Sequence, residues 1–245
     1  MKISSFALTL TALCICQNLH AEGFKLYEQS VSAMGNGYAG RGAQISDASL
    51  VYSNPAALTE LNQAQLSSGA TFIHATTDYQ VDLAKSAAGQ SVIGRESGQN
   101  SLNELVPFLF YADKLSSQWS YGFGFYVPFG LSSDYADDWA GRYFADKTAI
   151  EVVALQASAG YRLNEQWSLG GGISVNRVSG ELSKFKDHSG LCETGSNINA
   201  MFGADVYNDA YCHSHYQVAG DDVKLGYNLA IHGRFDTGTK LGLIY

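Results

Sequence analysis

The segment that most constrains the fold is WSYGFGFYVPF, residues 119–129, in which large apolar side chains alternate with mostly small ones. Period-two alternation places the two kinds of side chain on opposite faces of a β-strand. The pattern recurs with varying regularity elsewhere in the chain, at 65–77, 102–112, 149–161, 167–176 and 223–235, and again from Lys240 onward. The sequence therefore predicts an all-β protein with about seven strands.

The connections between these segments alternate in length. Long connections are expected at about 80–100, 130–147 and 185–222, and short turns at 113–118, 164–166 and 236–238. This alternation is typical of an outer-membrane β-barrel, which has long extracellular loops and short periplasmic turns. Aromatic residues beside the short turns, such as Tyr161 and Trp167, suit the interfacial girdle of a barrel.

A soluble secreted β-sandwich is the main alternative, because its strands also alternate and are joined by evenly spaced turns. The outer face of a sandwich is solvated and usually polar. Here the apolar faces are unusually aromatic, and the opposite faces are small and polar rather than charged. These faces favour a transmembrane antiparallel β-barrel over residues 61–245.

The strand count indicates an incomplete barrel. Single-chain bacterial barrels usually close with an even number of strands, and an open barrel would leave unpaired edges in lipid. About seven strands are expected here, and the last begins only a few residues before Tyr245. We therefore expect this chain to be the N-terminal part of a longer barrel protein.

The first 21 residues have the layout of a secretory signal peptide. A positive start precedes an apolar run, and the small residue Ala21 marks the expected cleavage site. A lipoprotein cleavage at Cys14 or Cys16 is the alternative, although Leu13 and Ile15 suit it poorly. Beyond this peptide, no apolar stretch approaches the ~20 residues of a spanning helix. The net charge of −8 gives no indication of nucleic-acid binding.

Two cysteines remain after the signal peptide. Cys192 and Cys212 both fall in the longest expected loop, and an even pair in an oxidising compartment predicts a disulfide. The alternative is a metal site formed by Cys212 with His213 and His215, and with His188 as a fourth candidate ligand, but this pattern lacks a second cysteine pair at zinc spacing. We expect no metal and no cofactor.

Several segments resemble one transporter family. EGFKLYEQSVSAMGNGYAGRGAQISDASLVYSNPAAL, YGFGFYVPFGLSSDY and GYRLNEQWSLGGGISVNRV are similar to segments of FadL-type outer-membrane transporters of long-chain fatty acids and other hydrophobic compounds. The resemblance runs from about residue 22 to the end of the chain, and it implies that the chain holds about the first half of such a barrel. It implies that residues 22–60 form a hatch that plugs the lumen of the barrel.

The turn Asn54-Pro55-Ala56 belongs to the expected hatch. Pro55 has a fixed φ angle and disfavours helix at Asn54, so this turn is suited to mark where the plug ends and the wall begins. Glycine, alanine and serine are frequent before it and permit tight bends and close packing. The alternative is an ordinary turn between a loop and a strand.

A second proline indicates a defect in the barrel wall. Pro128 lies inside the clearest strand, where it cannot donate to the ladder, and Gly130 follows it. The resemblance implies that a kink in this third strand makes a lateral opening. Pro107, in the preceding strand, supports a local break in pairing. The alternative is that Pro128 only ends its strand at the membrane rim.

Aromatic residues are candidates for a hydrophobic ligand site. The strand 102–112 is apolar on both faces, so one apolar face, with Phe108 and Phe110, is expected to line the lumen. The alternative is that these side chains contact the plug. The resemblance also implies that Phe24, near the new N-terminus, reaches into the ligand pocket.

Two lysines are candidates for binding a fatty-acid carboxylate. Strand parity places Lys184 and Lys224 on the inward face near the outer rim, on consecutive strands where they are expected to approach each other. The alternative is that both are solvated charges of the rim.

Together these features predict passive outer-membrane transport of hydrophobic compounds, with long-chain fatty acids as the leading candidates. Ligand is expected to enter a lumenal pocket and leave sideways through the wall, in a monomer whose outer face contacts membrane lipid. A polar-solute porin and a non-transporting surface adhesin are the alternatives. An enzyme is not expected, because no nucleophile–base pair or paired catalytic carboxylates stand out in the sequence.

Overall fold

A computed structural model describes residues 25–85, 89, 91–188 and 213–245. In this part of the chain, seven antiparallel strands form one sheet in sequence order. They are β1 (Gln65–Gln80), β2 (Ser97–Lys114), β3 (Trp119–Asp134), β4 (Lys147–Arg162), β5 (Trp167–Asp187), β6 (His213–Arg234) and β7 (Lys240–Ile244). The predicted all-β fold of antiparallel strands is confirmed, and the two faces of the sheet differ as the alternation indicated.

The outward face of the sheet is apolar and exposed. Leu155, Ile173, Leu225 and Tyr227 all point away from the N-terminal part of the chain, and Leu225 is 78% exposed. On the inward face of β4 and β5 most side chains are small or polar, which leaves room for other chain segments to lie against it. In the described ranges, no helix is long and apolar enough to cross a membrane.

The bounds expected for the third long connection are wrong. β5 and β6 pair without interruption from Trp167 and Gly233 to Asp187 and His213, so the strands extend well into the expected loop of 185–222. The outer ends of these strands are mostly polar, with a few apolar residues such as Leu182 and Val218, and lack the clear apolar–polar alternation of the inner parts. Cross-strand polar pairs such as Gln217 with Glu181, at 2.7 Å, hold them together instead.

The ladder is broken between β2 and β3. These strands pair only from Leu109 and Phe125 to Lys114 and Ser120. Beyond this point β2 continues alongside β1, and β3 continues alongside β4. The sheet is therefore open between β2 and β3 in the half of these strands farthest from their connecting turn, and we call this opening the wall break.

The N-terminal residues lie against the inward face of the sheet. They contain α1 (Val31–Gly35), α2 (Leu50–Ser53) and a 3₁₀ helix (Pro55–Glu60). We call residues 25–47 the arm and residues 48–61 the base. The base and the wall share one hydrophobic core, with Ala48, Leu50, Val51, Ala57, Leu58 and Leu61 from the base and Phe108, Phe110, Ala112, Tyr126 and Ala154 from the wall.

Candidate functional site

The turn Asn54-Pro55-Ala56 organises the base. Asn54 has the extended conformation expected before proline, with φ −163° and ψ 90°. Its side-chain oxygen accepts from the backbone N–H of Ala56 at 3.1 Å and caps the 3₁₀ helix. Its side-chain amide donates to the carbonyl of Gly42, which ties the arm to the base.

The base is hydrogen-bonded to the inner wall. Gln156 Nε2 and Ser158 Oγ of β4 both donate to the carbonyl oxygen of Val51, at 2.7 and 2.9 Å. Val51 is fully buried, so its carbonyl needs partners within the protein, and the wall supplies them. Farther along, the hydroxyls of Thr59 and Ser168 lie 2.8 Å apart. The polar residues that alternate along β4 and β5 therefore bind the base.

The glycines of the inner wall make room for the base. A Cβ atom added at Gly160 would lie 2.6 Å from the carbonyl oxygen of Pro55, and one added at Gly170 would lie 2.5 Å from the carbonyl carbon of the same residue. Neither position tolerates a side chain unless the base moves. The small residues on this face are thus explained by the close approach of backbone to backbone.

The arm occupies the edge of β3 that β2 leaves unpaired. Leu26 N donates to Pro128 O at 3.0 Å, and Lys25 forms an isolated β-bridge with Phe129. The β3–β4 register shifts between Tyr126 and Phe129, so β3 bulges where the arm meets it. Pro128 therefore lies in an irregular part of β3 beside the wall break.

A carboxylate fixes the fold of the arm. Asp47 accepts hydrogen bonds from the hydroxyls of Ser30, at 3.2 Å, and Ser32, and from the backbone N–H of Ser49 at 2.8 Å. Burial alone would raise the pKa of Asp47, but the hydrogen bonds from Ser32, Ser49 and Ser30 hold its pKa below the ordinary value. The ionised carboxylate thus holds the start of α1 against the start of the base.

A small pocket of about 150 Å³ lies in the wall break. Its apolar lining includes Leu26 from the arm, Val106 and Val127 from the strands on either side, and Ile150. The ionisable residues among those that line it are Glu104 and Glu151, and none is basic. The pocket therefore suits an apolar group and disfavours an anion.

Phe108 and Phe110 face inward, but they contact the base. They are 4% and 0% exposed, belong to the shared core and lie with their ring centroids 6.1 Å apart. The structure thus favours the alternative reading, contact with the plug, over an open lumenal surface. The predicted residues Phe24, Cys192 and Cys212 lie outside the described residues.

The expected approach of Lys184 and Lys224 is wrong. Lys184 pairs with Tyr216, and Lys224 pairs with Asn176. Eight residues of β5 separate these two levels, which is about 27 Å at about 3.4 Å per residue. Alternation predicts that both lysines lie on the same face of the sheet. How close they lie along the strands depends on how β5 and β6 are aligned with each other, and alternation does not give that alignment. Lys224 instead forms an ion pair with Asp222 at 2.6 Å.

His213 and His215, at the start of β6, contact residues of the connection between β3 and β4. His215 Nε2 lies 3.0 Å from Asp146 Oδ2, and His213 Nδ1 lies 3.5 Å from the hydroxyl of Tyr143. Within the described ranges no group of three potential ligands is placed to hold a metal ion. These contacts link a long connection to the outer ends of β5 and β6.

Sequence reasoning missed two residues of the arm, Gln29 and Arg41. Gln29 is fully buried and its amide donates to the carbonyl of Val127, while Arg41 donates to Gln29. The available signal was weak. Arg41 is an isolated cation in a segment of small residues, but nothing in the sequence indicates its partners.

Three comparisons place the chain among known proteins. A family model described as outer membrane protein transport protein (OMPP1/FadL/TodX) matches residues 12–245. The long-chain fatty acid transport protein of Escherichia coli O6:H1 is 27% identical over 247 residues, which cover 98% of this chain and 53% of that protein. The chain thus spans about half the length of this relative.

Solved structures share the fold. The crystal structure of a Pseudomonas aeruginosa FadL homologue matches with a TM-score of 0.69 at 22% identity, over 91% of this chain and 52% of that one. The Ralstonia pickettii toluene transporter TbuX matches with a TM-score of 0.61 at 15% identity, over 89% and 57%. At these identities the two structures establish the half-barrel fold alone.

Proposed function

Because the chain belongs to the OMPP1/FadL/TodX family of outer membrane protein transport proteins, we propose that it passively carries hydrophobic compounds across the outer membrane. Long-chain fatty acids are the leading candidates, as for the Escherichia coli relative. We propose further that residues 22–60 act as a hatch, that the protein works as a monomer in contact with membrane lipid, and that it is not an enzyme.

The observation that carries this proposal is the wall break and the arm that lies across it. In a polar-solute porin an unbroken wall around an aqueous lumen suffices, because the solute follows water. Here the wall opens between β2 and β3, and the arm binds the free edge of β3 through Leu26. The opening is lined by apolar groups such as Val106 and Val127. The free energy of an apolar ligand falls when it leaves contact with water and enters the membrane, so the membrane favours exit through such an opening.

The fixed base supports the same route. Residues of the base fill the inward face of the sheet and share a core with β2, β3 and β4. Straight passage along this face would require the base to leave that core. Departure of the arm from β3 breaks only a few hydrogen bonds. We therefore expect sideways exit, which displaces only the arm, to need less free energy than passage along the lumen, which displaces the base. A surface adhesin needs neither a base nor an arm.

A second candidate cargo is an uncharged hydrocarbon. Glu104 and Glu151 line the pocket in the wall break, and no basic residue lines it. A bare fatty-acid carboxylate would be repelled there unless protonated or kept outside the pocket. The carboxylate-binding role predicted for Lys184 and Lys224 stays a prediction, since their separation excludes a shared site. Parallel uptake of radiolabelled oleate and hexadecane by cells expressing the complete gene distinguishes the two cargoes.

The sideways route is tested by restoring regular pairing in β3. In the double variant Pro128→Val, Gly130→Thr, uptake of the preferred ligand should fall at least about tenfold, while ligand binding to purified protein stays near normal. Gly220→Thr serves as the control, because a Cβ atom at Gly220 meets nothing within 4 Å. Unchanged uptake by a folded double variant would show that ligand does not leave through the wall break.

A further inference from the structure

Arg41 contacts two parts of the arm and also one residue of the base. Its Nη1 donates to the carbonyl of Tyr27 and its Nη2 to Oε1 of Gln29, both at 3.1 Å. Its guanidinium also lies over two rings, 4.9 Å from the centroid of Tyr52 and 5.4 Å from that of Tyr38. A planar guanidinium can donate in two directions and stack at once, which an ammonium cannot do. Arg41 thus joins three separate stretches of chain.

Gln29 carries the connection to the wall. It is fully buried, and its Nε2 donates to Val127 O at 3.1 Å and to the carbonyl of Leu26. Val127 lies in the bulge of β3, where the regular ladder with β4 is interrupted. A buried carbonyl at such a position needs a partner, and the Gln29 amide supplies it. Because Arg41 binds the amide oxygen of Gln29, it orients the amide nitrogen toward Val127.

The other side of Arg41 is anchored in the wall through the base. The ring of Tyr52 lies 4.5 Å from that of Tyr126, and the Tyr126 hydroxyl donates to Gln156 Oε1 at 2.5 Å. Gln156 in turn binds the carbonyl of Val51. Arg41 is therefore supported by the base, and the two bonds that it makes toward the arm reach the stretch that lies against the free edge of β3.

We infer that Arg41 is the positioning residue that keeps the arm on the free edge of β3 and thereby keeps the wall break closed. This inference rests on the proposed sideways exit only for its effect on transport. The closing itself is a property of the fold. Loss of Arg41 frees Gln29 to rotate away from Val127, so that the Leu26–Pro128 bond and the Lys25–Phe129 bridge hold the edge of β3 without this support.

We call Arg41 and its contacts to Tyr27 and Gln29 the clamp, and thiol labelling tests it directly. Leu26→Cys reports on the arm and Ala57→Cys on the buried base, both in a background with Cys192 and Cys212 replaced by serine. Arg41→Met should raise the labelling rate of Leu26→Cys at least about tenfold, because the arm opens more often, and leave Ala57→Cys unchanged. Arg41→Lys should show an intermediate rate. Arg95→Met, which removes a surface ion pair with Asp138 at 3.3 Å, is the matched control and should change neither rate.

The outcomes separate the clamp from the transport route. An unchanged rate at Leu26→Cys overturns the inference, and so does an equal rise at Ala57→Cys, which would show general loosening. If Arg41→Met does not assemble, Gln29→Leu removes the same link and should produce the same local rise, and its failure to do so overturns the inference. If labelling rises at Leu26→Cys while ligand uptake is unaltered, the clamp stands and the proposed sideways exit is wrong.

Discussion

The base and the arm are adjacent in sequence, yet the wall holds them in different ways. The base is buried in a core shared with three strands, and its backbone carbonyls bind wall side chains. The arm exposes apolar residues, with Tyr27 at 46% and Val31 at 60% exposure, and depends on a few polar contacts. The base has the interactions of a permanent part of the fold, and the arm has those of a part that can leave.

This difference indicates which part moves during transport. Removing the base from the wall would expose a hydrophobic core and leave buried carbonyls without partners, and both are costly. Removing the arm breaks hydrogen bonds that water can replace. Local opening free energies vary widely within a protein, and segments with few buried contacts open first. We therefore expect the hatch to act in two parts, with a fixed base and a movable arm.

The largest effect is expected from filling the space beneath the base. Gly170→Val would place a branched side chain against the backbone of Pro55 and Ala56, which approach the position of the missing Cβ closely. Overpacking of this kind costs about 3 kcal/mol or more when the opposing atoms are backbone. We expect the variant to lose heat-modifiable mobility on gels, or to unfold at a clearly lower temperature.

The matched control for this variant is Gly220→Val in β6, where a Cβ atom meets nothing within 4 Å. It introduces the same side chain into a strand of the same sheet. If Gly170→Val were as stable as Gly220→Val, the base would not lie against the wall as described.

A smaller effect is expected at the junction of base and arm. Asn54→Ala removes the cap on Ala56 and the bond to Gly42, and should lower the free energy of unfolding by about 1–2 kcal/mol. Asn54→Asp keeps the acceptor for Ala56 but cannot donate to Gly42, so it should be less destabilising. Urea unfolding in micelles compares the three proteins. Equal stability of wild type and Asn54→Ala would contradict the capping role.

The smallest effect concerns the pH dependence of the arm. Because the pKa of Asp47 is lowered in the folded protein, its stabilisation is fully present above the ordinary aspartate pKa and is lost as pH falls through the lowered value. A nitroxide attached at Val31→Cys should therefore become more mobile on acidification. Asp47→Asn should be mobile already at neutral pH and respond less to acid. An identical response of both proteins would show that Asp47 does not hold the arm.

Alternation and turn chemistry were sufficient to predict the strands, their two faces and the presence of Pro128 within β3, but not how far β5 and β6 extend. Each of these depends on local sequence, because side chains two residues apart share a face and proline cannot join a ladder. The separation of Lys184 from Lys224 was not predictable in this way. It depends on the register of β5 against β6, which polar strand ends do not reveal.

The clamp formed by Arg41 was also beyond local reasoning. Its partners are the carbonyl of Tyr27, the amide of Gln29 and the rings of Tyr38 and Tyr52, which come together only after the arm has folded back on itself. The apolar character of Phe108 and Phe110 was evident in the sequence. Only the tertiary structure distinguishes contact with the base from contact with a ligand.

Hydrogen exchange of the complete protein in lipid nanodiscs, with and without saturating oleate or hexadecane, tests the two-part hatch most directly. Amides of the base, such as those of Asn54 and Leu61, should exchange slowly in both states. Amides of the arm, such as those of Leu26 and Met34, should exchange faster throughout and faster still with the preferred ligand. Protection of arm and base that is equal, or is lost to the same extent on ligand binding, would contradict a fixed base and a movable arm.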